Sequence, residues 1–272
     1  MLPKVIGAYR ELGYKIDLGN PTRVYSTIID EKAHKTLNVS GGMTISDAFL
    51  FMQLQRVFTP EDIFIIGNSF GLSTFVLAEL FPNARVDAID AEIEGINVGQ
   101  GTQITRQIAA KHFPNVQVTV GFSPQDLPKA VTHAPYGLVF VDGMHTNEQM
   151  LLDYAGMLPY CAEQCVYVFH DVGFAHMLPA WEKITAEAAP LGFHGYTMAY
   201  TQLGTCILAR APQPVLDFFG ALCSPFVGAY RIGAPADDAA YPKRPFFWDM
   251  SFSHIEAIVR RKVRRIAGLS TK

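Results

Sequence analysis

From residue 62 onward, short apolar runs alternate with segments whose apolar residues recur at helical spacing. The runs are Ile63–Ile66, Arg85–Asp90, Val116–Val120, Leu138–Asp142, Val166–His170 and Thr205–Ala209. Between them, Leu72–Phe81, Ile96–His112, Asn147–Leu158 and Leu178–Ala188 repeat their apolar residues every three to four positions, as a helix with one buried face requires. In Asn147–Leu158, for instance, Met150, Leu151, Tyr154, Met157 and Leu158 fall on one side. Strands this continuously apolar are covered on both faces. Their alternation with helices predicts an α/β, doubly wound, mostly parallel sheet flanked by helices on each side.

The flanks read differently. Thr44 suits the N-cap of a helix over Ile45–Val57, with Gly41 and Gly42 breaking the chain before it, so residues 1–60 are expected to form a helical N-terminal extension on the sheet or over its mouth. Residues 61–210 hold the alternating pattern. From 211 to 272 the chain passes through APQP and the aromatic stretch YPKRPFFWD, with Phe246, Phe247 and Trp248, to a basic C-terminal segment. This extension suits a lid, a contact with a second copy of the chain, or both. On a helical wheel Ile255, Val259, Val263 and Ile266 share one side and Arg260, Arg261, Arg264 and Arg265 the other. Such a basic amphipathic helix docks its apolar stripe on the protein's own body or on a sister subunit, the alternative being peripheral contact of 251–272 with an anionic membrane.

Composition narrows the function classes. With 272 residues, 49% hydrophobic and 17% charged, the chain is globular and long enough to bury a core unaided. A formal net charge of -3 excludes a general polyanion binder, and no nucleic-acid partner is expected. Cys161, Cys165, Cys206 and Cys223 form no CxxC pair and lie mostly among apolar neighbours, as reduced thiols of a cytoplasmic protein do. Neither a secretory h-region nor a run of about 18 uncharged apolar residues is present, so a cytoplasmic location is expected.

The candidate chemistry begins in IFIIGNSFGLSTFVLAEL, a strand, a turn with Gly67, Asn68, Ser69 and Gly71, and a helix. At the carboxyl end of a parallel strand such a turn aims backbone N–H groups at an anion. A dinucleotide fingerprint starting at Gly67 would need glycines where Ser69 and Leu72 stand, and a GxxxxGK[ST] phosphate loop is missing, which disfavours NAD, FAD and nucleoside triphosphates. S-adenosylmethionine, with one carboxylate and an adenosine, fits a GxxxG turn. Ser73 is placed to hydrogen-bond its carboxylate, and Asp90, ending the next strand about 20 residues on, to take both ribose hydroxyls.

With these residues the chain resembles a class I S-adenosylmethionine-dependent methyltransferase over roughly Asp62 to Arg210, which implies that family's seven-stranded sheet. The stretch YGLVFVDGMHTNEQMLLDYAGMLPYC, followed by VYVFHDV, is similar to macrocin-type sugar and small-molecule O-methyltransferases, whose fourth strand ends in Asp-Gly-x-His. The resemblance places Phe122 and Ser123, in VGFSPQDLPKA, at the adenine, and Asp142 beside the cofactor. It also implies that Asp142, His170 and Asp171 hold Mg²⁺ or another divalent metal, and that His145 is the catalytic base with Asp142 as its catalytic partner. Two positions depart from the family pattern. Ile65 stands where an acid usually precedes the first glycine, and Phe122 where an Asp precedes the adenine-loop serine.

Methyl transfer to an aliphatic oxygen needs a deprotonated acceptor, which a chelated dication and a general base together provide. The expected activity is therefore O-methylation of a small hydroxylated acceptor, a sugar or glycosylated metabolite. Two other readings stand beside it: a metal-independent N- or carboxyl-methyltransferase, and a catalytically silent scaffold of the same fold, for which Ile65 and Phe122 argue.

Overall fold

The apolar runs become neighbouring strands of one sheet. The computed structural model describes residues 2–17, 27–39, 43, 45–93, 97, 99–173, 176–198 and 204–223. In chain order its main elements are α1 (Leu2–Glu11), β1 (Tyr14–Asp17), β2 (Thr27–Asp30), β3 (Lys35–Val39), α2 (Ile45–Leu54), β4 (Asp62–Ile66), α3 (Leu72–Leu80), β5 (Arg85–Asp90) and α4 (Gln100–His112). They continue with β6 (Val116–Val120), α5 (Leu127–Ala130), β7 (Tyr136–Val141), α6 (Asn147–Met157), β8 (Cys161–Phe169), α7 (Leu178–Ala188), β9 (His194–Thr197), β10 (Cys206–Arg210) and α8 (Gln213–Leu222).

The large sheet has seven strands in the order β6-β5-β4-β7-β8-β10-β9. Neighbours from β6 to β8 are parallel, and β10 runs antiparallel to both β8 and β9. Residues alternate between the faces, as the strand period of two demands. Ile63 and Ile65 of β4 enter a core shared with α1, α2, α3, α4 and α8. Phe64 and Ile66 enter a second core under α5, α6 and α7. All four are 5% exposed or less, and each such side chain contributes about 1.5–3 kcal/mol of burial. The strand order reverses between β4 and β7, and the crevice at such a switch point, beyond the strands' carboxyl ends, is where open α/β sheets bind ligands.

The N-terminal extension is helical only at its ends. Between α1 and α2, β1, β2 and β3 form a small antiparallel sheet. Ile16, Ile28 and Leu37, one from each strand, join the core of the large sheet's first face. Strands of four or five residues carry too little periodicity to be read from sequence. β9 and the single-turn α5 escape for the same reason. The helix expected from Ile96 begins at Gln100, because Gly99 at φ +87° is its N-cap. Gly41, Gly42, Thr44, the aromatics Phe246, Phe247 and Trp248, and the segment 251–272 lie outside the described residues. No helix among those described is long and apolar enough to cross a membrane.

Candidate active site

The turn after β4 is pressed against the end of β7. Gly67, at φ +93°, occupies the left-handed region that favours glycine, and a Cβ placed on it would lie 2.0 Å from the carbonyl oxygen of Asp142. On the turn's other side a Cβ on Gly101, in the first turn of α4, would lie 2.3 Å from the carbonyl oxygen of Ser69. Gly71, at φ +86°, precedes α3 and touches Thr105 in the same way.

Asp90 closes this turn from below. Its Oδ2 accepts the backbone N–H of Asn68 at 2.8 Å and of Ser69 at 2.6 Å, and its Oδ1 accepts Glu92 N–H at 2.7 Å. The anion that these N–H groups meet is therefore Asp90 itself. Burial raises the Asp90 carboxyl above the ordinary range, against the opposing pull of the three N–H donors. Asp90 is only half-buried, and a carboxylate has about four acceptor sites, so it keeps capacity for a ligand hydroxyl.

Three of the residues expected at the cofactor are buried and tied into the fold. Ser73 is buried on α3, and its Oγ accepts Met43 N–H at 3.0 Å, tying the N-terminal segment down instead of facing the crevice. Asn68 is buried as well. Its Oδ1 accepts the Thr74 hydroxyl at 2.9 Å and its Nδ2 donates to Thr105 at 3.0 Å, so its side chain braces the turn. Ser123 is buried after β6, and its carbonyl accepts Gln149 Nε2–H at 2.7 Å, fastening that loop to α6. Phe122, beside it, is part-exposed, with its N–H held by Asp126 at 3.0 Å.

At the ends of β7 and β8, Asp142, His145, His170 and Asp171 offer one ligand atom each, all within 4.8 Å of one another. His145 Nε2 lies 3.3 Å from Asp142 Oδ1 and 3.5 Å from Asp171 Oδ2. His170 Nδ1 lies 2.9 Å from Asp142 Oδ1 and 3.3 Å from Asp171 Oδ1. Thr146 caps α6, accepting Gln149 N–H at 3.1 Å, so capping does not explain His145. Burial alone would push the Asp142 carboxyl up, but His170 and His145 hold it well below the ordinary carboxylate range. Burial opposes charge on His170, and Asp171, Asp142 and Asp47 together outweigh it and raise the imidazole well above its usual value.

The donor set fits a divalent cation. Pairs of ligands about 2.1 Å from one metal stand roughly 3 Å apart when adjacent, the spacing these atoms already have. Asp171 is held at φ +56°, and its Oδ1 is buried without a hydrogen-bond donor, an oxygen that a cation would satisfy.

Residues 64–172, the segment that carries the glycine turn, Asp90 and this cluster, match the family model of a methyltransferase domain. The chain has the class I methyltransferase fold. Solved structures similar to the chain include the O-methyltransferase TomG of Streptomyces achromogenes, involved in tomaymycin synthesis and solved with SAM, at 16% identity and a TM-score of 0.54 over 78% of this chain and 89% of that one. A putative caffeoyl-CoA O-methyltransferase of Staphylococcus aureus aligns at 16% identity and 0.52, covering 62% and 85%. An O-methyltransferase of Bacillus cereus in complex with SAH aligns at 14% and 0.53, covering 64% and 84%. At these identities the likeness is one of fold. Among curated proteins nothing matches the chain.

Sequence reasoning missed three side chains of the candidate site. Asp47 of α2 is fully buried, with Oδ2 2.9 Å from His170 Nε2 and Oδ1 accepting the Thr205 hydroxyl at 2.7 Å. A lone acid in an apolar helix was the available signal, since such a group stays buried only with partners. Thr205, just before β10, gave none. Asp153 of α6 lies with His145, His170, Met150 and Met177 around a small pocket beside the cluster, and burial pushes its carboxyl up to about 6.

Proposed function

We propose that the protein transfers a methyl group from S-adenosylmethionine to a hydroxyl of a small acceptor, of the sugar or glycosylated-metabolite class, with a divalent metal held by Asp142, His170 and Asp171. One observation carries this reading: the Gly67 turn and the Asp142 strand end are in backbone contact, so a cofactor on the turn and an acceptor at the cluster would share one wall. The SAM- and SAH-bound O-methyltransferases among the structural neighbours support it.

The cofactor would lie over Gly67–Gly71, with ribose at the remaining capacity of Asp90 and adenine toward Phe122. A bound dication lowers the pKa of a chelated hydroxyl. His145, part-exposed between the two carboxylates, would take the acceptor proton at Nε2, and Asp142 and Asp171 would stabilise the imidazolium so formed. General-base help of this kind is worth about 10²–10⁴ in rate.

The test is transfer of labelled methyl from S-adenosylmethionine to a panel of hydroxylated acceptors, sugars and nucleotide-linked sugars included, with and without a chelator. Ether formation that the chelator abolishes and a divalent metal restores is the expected result. Transfer unaffected by the chelator, to nitrogen or to carboxylate, would establish the metal-independent alternative. No transfer together with no cofactor binding would leave a silent scaffold.

A further inference from the structure

Asp47 and His170 stand 123 residues apart in the chain and 2.9 Å apart in space, and neither is more than 3% exposed. Asp47 lies outside residues 64–172, so it is a contribution of the N-terminal extension to the centre. Its Oδ2 faces His170 Nε2 while its Oδ1 holds the Thr205 hydroxyl at 2.7 Å, which fixes the carboxylate from a second strand end. In neutral His170 with Nε2–H donated to Asp47, the form that binds metal, the lone pair is on Nδ1, the atom that meets Asp142 at 2.9 Å and Asp171 at 3.3 Å. A carboxylate behind a histidine, setting tautomer and ring orientation, is how proteins prepare an imidazole to bind metal. Magnesium takes oxygen ligands and retains its waters, whereas later dications accept imidazole nitrogen.

We infer that Asp47 is a positioning residue that makes His170 a ligand through Nδ1, and that the resulting nitrogen-and-oxygen centre takes a transition-metal dication such as Mn²⁺ or Co²⁺ in preference to Mg²⁺. The inference rests on the metal-assisted reading above.

Its test is Co²⁺ binding to the chelator-treated full-length protein, followed by visible absorption, with Mg²⁺ as competitor. Saturable cobalt bands that persist in excess Mg²⁺ are expected. Asp47→Asn, which keeps the shape but not the charge, should weaken Co²⁺ binding about 10–100-fold, with circular dichroism unchanged. His170→Asp should shift the preference toward Mg²⁺. Displacement of Co²⁺ by equal Mg²⁺, or unaltered affinity in Asp47→Asn, would overturn the inference and leave a metal site standing. Absence of binding by either ion would overturn the metal reading with it. If Asp47→Asn does not fold, the competition on wild type and on His170→Asp decides.

Discussion

Gly67 and Asp142 touch through their backbones: a Cβ on the glycine would sit 2.0 Å from the aspartate's carbonyl oxygen. The turn is also tied to the strand ends by backbone hydrogen bonds, Gly67 N–H to Ile89 at 2.9 Å and Asp142 N–H to Ile66 at 2.8 Å. Gly67→Ala would have to open this joint as well as hold an alanine at φ +93°. It is expected to destabilise the fold by about 2–4 kcal/mol in urea unfolding, the sum of backbone strain and overpacking. A change within experimental error of zero would show that the turn yields freely.

Asp90 organises the same turn through two backbone N–H groups, those of Asn68 and Ser69. Asp90→Ala removes those acceptors together with the group proposed for the ribose. S-adenosylmethionine affinity, measured by calorimetry, is expected to fall by about 1–3 kcal/mol. Unchanged affinity would remove Asp90 from the cofactor site.

His145 is separable from cofactor binding. His145→Ala should lower turnover about 10²–10⁴-fold while leaving S-adenosylmethionine affinity near wild type, because proton removal matters only in the transition state. Wild-type turnover on a true acceptor would refute the base role.

Asp153 gives a pH signature. Burial raises its folded-state carboxyl to about 6, above the unfolded value, so the folded state holds the proton more tightly. Its contribution is therefore most favourable at low pH and is lost as pH rises from about 4 through about 6. Asp153→Asn should keep the hydrogen bond from Gln149, now 2.7 Å, and flatten that decline, gaining on the order of 1–3 kcal/mol at neutral pH. Identical pH profiles of thermal stability for the two proteins would contradict the shift.

The large sheet was legible because short runs such as Ile63–Ile66, buried throughout, recur between helices of full length. Asp142 and His145 were singled out through the resemblance that sets Asp-Gly-x-His at a strand end, and the structure brings His145 Nε2 to 3.3 Å from Asp142 Oδ1. The small sheet was not legible, since its strands are only four or five residues long and mix charged with apolar positions. Ser73 was misread because a helix start after a glycine turn looks solvent-facing in sequence, whereas here Met43 covers it. Asp47 and Thr205 escaped because the contacts of Asp47 with His170 and Thr205 are made by tertiary packing, across 123 and 158 residues, and no local period records them.

Titration calorimetry of the full-length protein with S-adenosylmethionine bears most directly on the central claim, that the Gly67 turn and Asp90 form a cofactor site joined to the Asp142–His145 cluster. Saturable one-to-one binding, competed by S-adenosylhomocysteine and accompanied by a rise in melting temperature, is expected. Absence of both heat and thermal shift would contradict it.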